Sequence, residues 1–267
     1  MELNVIKEYL QTLHTEMQED ILQNLLEKKK IAIINQDEIL ANELWCLIKV
    51  YEIQKDYLTM FQLLKSGNYK EAWNLMNRID ISLGNLRDNF EEEMRYYHLP
   101  FINQIIKCYE DAYPNFIYSS REGIIKEEEC SICGKKVLLR GGCNHIPGKL
   151  YMGELCLRKV TNYEFIGIAI VKNPLDKYSV LTFENYDYNF QILDYLMKKL
   201  DSPFRKWNIK KIKIKNSKFI NIEKNKVCSC ESGKKCTNCC YNSPRKYAIH
   251  YKITLLDNEK NFKRSPR

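Results

Sequence analysis

The chain of 267 residues lacks any long apolar run. Its longest runs, such as Phe165 to Val171, fall far short of the ~18 residues that a membrane-spanning helix needs. The N-terminus has an acidic residue at position 2 and no apolar block followed by small residues, so we expect no signal peptide. No Gly-x-x-x-x-Gly-Lys-Ser/Thr loop occurs, which excludes that class of nucleotide site. These absences predict a cytoplasmic protein with no membrane span.

Cysteine is abundant instead, with eleven residues in the chain. Disulfides are rare in a reducing cytoplasm, where thiolates remain able to bind zinc. Cys46 and Cys108 stand alone in apolar, helical surroundings and are predicted to be core residues. The other nine cysteines form two tight clusters, which indicates metal binding.

The net charge of +8 is unevenly distributed along the chain. Residues 1–129 carry 14 Lys and Arg against 23 Asp and Glu, whereas residues 130–267 carry 28 against 11. The second part therefore favours an acidic partner, and the two parts are expected to attract different partners.

The first part has the apolar periodicity of helices. Over residues 3–113 apolar side chains recur at helical spacing with charged residues opposite, which predicts an antiparallel helical bundle. Ser66-Gly67 is predicted to end one long helix. Asn68 with Glu71 three residues later resembles a capping box that begins the next.

After Arg121 the pattern changes to short strands and turns, because six glycines fall between residues 123 and 153. Residues 165–171 and 179–183 are predicted to be buried strands. Residues 187–200 carry one apolar helical stripe. The acidic run at 127–129 is interpreted as a solvated linker.

The first cysteine cluster comprises Cys130, Cys133, Cys143, His145 and Cys156. A Cys-x-x-Cys turn followed by Gly is the geometry of a zinc knuckle, in which two sulfurs converge on one ion and backbone N–H groups help neutralise the thiolates. Five candidate ligands exist for a tetrahedral ion that takes four. Either Cys143 or His145 is therefore spare or supports the ligands from outside the coordination shell.

The second cluster begins with Cys228 and Cys230, continues through Ser232-Gly233-Lys234-Lys235 and ends with Cys239 and Cys240. This pattern resembles the SEC-C zinc motif. The proposed ligands are Cys228, Cys230, Cys239 and Cys240. Glu231 replaces the first glycine of the motif's turn, and Cys236 replaces an aromatic residue, so Cys236 is either a spare thiol or a competing ligand. The segment is too short to have a core, so metal binding would supply most of its folding free energy, on the order of 10 kcal/mol.

Together the two clusters resemble bacterial SEC-C motif-containing, or zinc-chelation, proteins. In the preprotein-translocase ATPase such a motif binds an acidic export chaperone and ribosomes. The resemblance therefore implies two zinc ions and docking to an acidic protein partner or ribosome, and a place in a bacterial stress or defence assembly is a further possibility it leaves open.

These patterns predict an α+β fold with four parts. Residues 1–118 form the helical bundle, 119–226 a mixed α/β zinc-knuckle unit, 227–243 the SEC-C motif, and 244–267 a C-terminal strand with a basic tail. The oligomeric state is not determined by the sequence.

A basic segment lies between Lys198 and Lys226, with eleven Lys and Arg against two acidic residues. Lys211, Lys213 and Lys215 alternate with isoleucine, which predicts a strand with its ammonium groups on one face. Trp207 and Phe219 flank this run. The candidate partner-binding residues are Arg205, Lys206, Lys210, Lys211, Lys213, Lys215 and Lys218. Such a strand can bind nucleic acid, although a solvated lysine face protecting a sheet edge has the same pattern.

The sequence therefore favours a non-enzymatic, two-zinc adaptor that docks to other proteins. The alternative is a nucleic-acid-binding protein that uses residues 198–226. A further alternative is a degenerate HNH-like nuclease built on the segment around His145, although the acidic or histidine neighbour and the second Cys-x-x-Cys of such nucleases are missing.

Overall fold

The computed structural model describes residues 1–138, 140–181, 188–215, 225–226, 235–238 and 247–256. Within these residues the fold is mixed α+β, as the sequence predicted. The chain divides into two compact units, residues 1–203 and residues 204–267. The predicted four-part division has different boundaries and stays a prediction.

Helices occupy the beginning of the first unit. They are α1 (Leu3–Leu10), α2 (Glu19–Ile34), α3 (Glu38–Lys65), α4 (Tyr69–Phe90), a 3-10 helix (Glu93–Tyr97) and α5 (Leu99–Ala112). Helix α3 packs against both α2 and α4. It buries apolar residues on several sides, including Leu44, Leu47 and Tyr51, because neighbouring helices cover more than one of its faces. Cys46 and Cys108 are buried, which confirms them as core residues.

The boundary between α3 and α4 lies where the sequence placed it. Helix α3 ends at Lys65, and Gly67 follows with a φ of +78°, a conformation that glycine adopts without strain. The predicted capping box is wrong, because Asn68 makes no side-chain hydrogen bond to the first turn of α4. Its side-chain amide donates to Ser66 Oγ instead, at 3.1 Å.

The remainder of the first unit contains short and long strands. They are β1 (Tyr118–Cys130), β2 (Leu150–Tyr151), β3 (Glu154–Leu155) and β4 (Arg158–Val171), followed by helix α6 (Gln191–Lys199). Strands β1 and β4 form a long antiparallel two-stranded ribbon, and β2 and β3 form a small hairpin. Helix α6 buries Leu193 and Met197, as its predicted apolar stripe requires.

Three details of this region differ from prediction. Residues 165–171 are a strand, but alternate side chains of that strand are exposed, because no other described strand or helix covers the outer face of the ribbon. In the predicted strand 179–183, Val180 makes only an isolated bridge to Tyr118, and residues 182–183 lie outside the described part. Residues 127–129 belong to β1 rather than to a linker.

An aromatic cluster joins the helices to the segments that flank the ribbon. The ring of Phe116 contacts Trp73 edge-on at a centroid distance of 5.0 Å and Tyr188 at 4.8 Å. Trp73 also packs against Tyr113 at 4.9 Å, and its indole N–H donates to the carbonyl of Lys177. Such edge-on contacts fix ring orientation as well as burying apolar area. The cluster therefore fixes the base of the ribbon to α4 and α5.

In the second unit, β5 (Trp207–Lys215) pairs antiparallel with β6 (Tyr247–Leu255), and a 3-10 helix covers Cys236–Asn238. The register is regular over nine residue pairs, from Trp207 opposite Leu255 to Lys215 opposite Tyr247. The lysine-rich strand and the C-terminal strand that the sequence predicted are thus paired with each other.

Candidate metal centre

The far end of the β1–β4 ribbon brings the first cysteine cluster together. Cys130 is the last residue of β1 and pairs with Arg158, the first residue of β4. Cys156 lies two residues before β4, so the ribbon register holds these two cysteines side by side. Cys133 follows in a turn that Gly134 completes with a φ of +68°.

The donor atoms of four predicted ligands converge. The sulfurs of Cys130, Cys133 and Cys143 and a ring nitrogen of His145 all lie within 4.8 Å of one another. Cys156 adjoins this group, because its sulfur is 3.9 Å from that of Cys130. These residues could hold a metal ion.

Two measured distances fit the edges of a tetrahedral zinc site. With zinc bonds of about 2.3 Å to sulfur and about 2.0 Å to nitrogen, two thiolates lie about 3.8 Å apart and a thiolate and an imidazole about 3.6 Å apart. Cys130 Sγ is 3.9 Å from Cys156 Sγ and 3.6 Å from His145 Nδ1. Thiolate and imidazole together are typical zinc ligands. Which four of the five donors would bind is left open by these distances.

The knuckle turn stabilises negative charge on one sulfur. Burial raises the pKa of the Cys130 thiol, but backbone N–H groups of Cys133 and Ile132 donate to its sulfur and, with the neighbouring thiols, lower that pKa to about 6. Burial, followed by the hydrogen bond to Cys130 and the charge on its sulfur, raises the pKa of Cys156 to about 11. The pKa is thus lowered for one of these two neighbouring thiols and raised for the other.

The β2–β3 hairpin anchors the cluster to the helices. Its two-residue turn, Met152-Gly153, has φ of +46° and +73°. The backbone N–H of Gly153 donates to Asn42 Oδ1 at 2.7 Å, and that of Met152 donates to Glu38 Oε1 at 3.2 Å. A side chain at 153 would approach Lys29 Cε to 2.8 Å. Only glycine fits this position without displacing its neighbours.

A second contact holds the other side of the same segment. Asn89 donates its side-chain amide to the carbonyl of Gly148 at 2.8 Å, and Lys149 Nζ donates to the carbonyl of Asp88 at 2.7 Å. Neither Asn42 nor Asn89 was predicted from the sequence to be a site residue. A polar residue on the outside of a helix resembles any solvated residue, and only the glycine after Met152 signals a tight turn.

A cavity of about 160 Å³ opens beside the cluster. Its polar lining includes Cys143, His145, Lys136 and Arg158. Both cationic side chains are engaged in ion pairs, Lys136 with Glu127 at 2.9 Å and Arg158 with Glu128 at 3.7 Å. Glu127 and Glu128, which the sequence analysis assigned to a linker, therefore balance positive charge beside the cysteine cluster.

The second predicted metal site lies outside the described residues. This applies to Cys228, Cys230, Cys239 and Cys240, and also to Lys218 and Phe219. Cys236 is described and is buried in the short 3-10 helix. Its role as a spare or competing thiol stays a prediction.

The predicted basic residues lie largely on or beside β5. Arg205 and Lys206 precede the strand, Lys210, Lys211 and Lys213 are exposed within it, and Lys215 ends it. Trp207 is buried, with 1% of its surface exposed. It therefore cannot present a stacking surface beside the lysines.

An aromatic residue from β6 takes this position instead. Tyr251 lies directly opposite Lys211, whose ammonium group is 5.9 Å from the centre of the tyrosine ring. Residues two apart share a face of a strand, so Lys211 and Lys213 share the face of Tyr251. Lys210 and Lys252 are opposite each other on the other face. Each face of the ribbon therefore carries lysines, but only one combines them with Tyr251.

Comparison with known proteins finds no matching family model, no matching curated protein and no matching solved structure. Among the described residues, no helix has the length and apolar character needed to cross a membrane.

Proposed function

We propose that this chain is a non-enzymatic docking protein whose two cysteine clusters each hold a structural zinc ion. The observation that carries the proposal is the convergence of at least four zinc-type donors on Cys130, at the end of a ribbon and on a segment anchored to helices. A site with more donors than a tetrahedral ion can use leaves no position for a reacting water. The zinc then fixes a surface rather than performing chemistry.

The proposed partner is an acidic protein or a ribosome. The excess of Lys and Arg after residue 130 supports this, as does the likeness of residues 228–240 to the SEC-C motif. A helical bundle over residues 1–118 would provide a separate, acidic surface. The nuclease alternative is less well supported, because His145 Nδ1 lies 3.6 Å from the sulfur of Cys130, within a thiol cluster.

Metal analysis of the purified full-length protein tests the proposal. We expect two zinc ions per chain, one in the double variant Cys130→Ser, Cys133→Ser, one in Cys239→Ser and none when all three changes are combined. Two changes are needed at the first cluster because it offers five donors and four suffice for zinc. Cys108→Ala, at a buried position remote in sequence from both clusters, is the control and keeps two. Fewer than two ions in the unmodified protein, or full occupancy in the variant Cys130→Ser, Cys133→Ser, contradicts the proposal. The partner is then sought among acidic proteins and ribosomes that co-purify with the zinc-loaded chain.

One observation favours nucleic-acid binding as a second candidate function. Lys211 and Lys213 share a strand face with Tyr251, and lysines beside an aromatic ring can contact phosphates while a base stacks on the ring. The opposite face supplies a matched control, because Lys210 and Lys252 carry the same charge without that tyrosine.

Binding to labelled single-stranded RNA at several salt concentrations separates the two faces. If this function is correct, the double variant Lys211→Gln, Lys213→Gln weakens binding and lowers the salt slope by roughly 1.4, at about 0.7 per lost phosphate contact. The double variant Lys210→Gln, Lys252→Gln then has a smaller effect. Equal effects would indicate general attraction to positive charge, and no binding by the unmodified protein would eliminate this candidate.

A further inference from the structure

The outer face of the β1–β4 ribbon is apolar and exposed. Five large side chains line it, with exposed fractions from 44% for Tyr163 to 72% for Ile170. The five are Ile125, Tyr163, Phe165, Ile168 and Ile170. Isolated two-stranded ribbons are at best marginally stable in water, and large exposed apolar patches commonly mark interaction surfaces.

The pairing register places these side chains on one face. Ile125 is opposite Tyr163, and Ile168 is opposite Arg121. Gly123 lies between Arg121 and Ile125 on β1, and a Cβ built on Gly123 would lie 2.1 Å from the ring of Tyr163. The tyrosine ring therefore covers the glycine on this face. An irregularity at Ile166 keeps Phe165 on the same side as Ile168.

The opposite face of the ribbon is partly covered at its base. Tyr118 on β1 is buried, and Gly167, Ala169 and Val171 on β4 are each partly buried. Along this part of β4 the exposed large side chains Ile168 and Ile170 therefore lie on the outer face. For comparison, the apolar side chains exposed on α2 lie on a helix that is already packed against α3.

We infer that this face, defined by Ile125, Tyr163, Phe165, Ile168 and Ile170, joins two copies of the chain across a two-fold axis. With roughly 200 Å² of surface per large side chain, the exposed fractions amount to roughly 600 Å² per copy. Two copies would bury roughly 1,200 Å², the lower limit for a stable interface.

The composition of the face favours a second copy over a different partner. On this face, β1 contributes alternate residues from 119 to 125, and β4 contributes the residues paired with them. Arg121 is the only charged residue in this set. Interfaces of permanent homodimers are more apolar than those of other complexes, and a two-fold axis places each apolar patch against an identical one. The inference is independent of the proposed zinc and docking function.

The test is the mass of the full-length protein in reducing buffer, measured by sedimentation from about 1 to about 100 µM. We expect a dimer. The double variant Ile168→Lys, Ile170→Lys places like charges across the axis and should raise the dissociation constant at least about 100-fold. Ile124→Lys, on the opposite face of the same ribbon, is the matched control and should remain dimeric.

Two results would overturn the inference. One is a monomer at every concentration, which would include the case in which other residues of the same chain cover the face. The other is a dimer that the double variant leaves intact. Circular dichroism of each variant verifies that it is folded, and Ile168→Val with Ile170→Val should retain the dimer if the ribbon is intact and apolar contact is sufficient.

Discussion

The two antiparallel ribbons have the same architecture and opposite surfaces. The β1–β4 ribbon presents isoleucine and aromatic side chains on its outer face, whereas the β5–β6 ribbon presents lysines on both faces. A two-stranded ribbon cannot bury both of its faces by itself, so what it exposes determines what it binds. Apolar exposure suits a permanent protein contact, and lysine exposure suits an acidic partner.

The ribbons also differ in how their ends are held. The β1–β4 ribbon ends in the cysteine cluster, and the segment between its strands hydrogen-bonds to α3 and α4. The described contacts of the β5–β6 ribbon include no comparable cluster of metal-type donors, although residues 228–234 and 239–240 lie outside the description. Among the described residues, loss of a bound metal ion should therefore have its largest effect at the end of the β1–β4 ribbon near Cys130.

The largest expected effect comes from removing the metal. If the cluster holds zinc, chelation should destabilise the 130–156 segment by a free energy on the order of 10 kcal/mol, because metal binding and folding of the ligand segment are coupled. We expect amide hydrogen exchange to increase strongly over 126–130 and 154–160, and to increase less at the base of the ribbon near Tyr118. Unchanged exchange in zinc-stripped protein would mean that the cluster folds without an ion.

A smaller effect on stability is expected where the β2–β3 hairpin contacts the helices. Gly153→Ala combines a φ of +73° with a contact of 2.8 Å to Lys29 Cε and 3.1 Å to the carbonyl of Ala41. We expect the free energy of unfolding, measured with urea, to fall by about 2–3 kcal/mol.

The control for that change is Gly67→Ala. Gly67 has a similar φ of +78° but nothing within 4 Å of an added Cβ, so it isolates the backbone cost of about 1 kcal/mol. Equal losses in the two variants would show that the contact of Gly153 with α3 contributes little.

The next test lies within the β1–β4 ribbon. Gly123→Ala would force the ring of Tyr163 off the glycine, because the new Cβ would lie 2.1 Å from it. We expect a loss of about 1–2 kcal/mol in the free energy of unfolding and weaker dimerisation. Gly167→Ala, with nothing within 4 Å, is the control and should be neutral or stabilise the strand by about 0.5–1 kcal/mol.

The smallest effect is expected on the β5–β6 ribbon. Lys213→Gln removes one exposed charge and should change the free energy of unfolding by less than about 0.5 kcal/mol. Its consequence should appear only in binding to an acidic partner. A large loss of stability would mean that this lysine has a structural role and that the two ribbons differ less than their surfaces suggest.

Several features were predictable because they depend on neighbours in the sequence. Gly67 ends α3, alternate lysines make a strand, and Cys130 with Cys133 and Gly134 forms a turn with sulfurs close together. Each of these follows from backbone preference or side-chain periodicity over a few residues. Cys143 and His145 were predicted from residue type as alternatives for one ligand position, and the donor atoms of both lie within 4.8 Å of those of Cys130 and Cys133.

Other features could not be predicted, because they depend on distant segments. The strand 165–171 was expected to be buried because its residues are apolar, but burial requires a covering element, and none of its residues is fully buried in the described fold. Trp207 flanks the lysine run in the sequence, and only the structure shows that it is buried. Hydrophobicity gives the tendency of a residue to be covered and does not identify what covers it.

The sequence by itself therefore determined the mixed α+β class, the helix boundary at Gly67, the identity of the metal-type donors and the charge asymmetry. Only the tertiary structure decided which faces of the two ribbons are exposed, that Gly153 contacts α3, and that Tyr251 lies opposite Lys211. The physical reason is the distance along the sequence over which each feature is determined. Local preferences are set by dihedral angles and side-chain spacing. Exposure depends on contacts between segments that can be more than a hundred residues apart, and strand pairing depends on a register that is fixed only on folding.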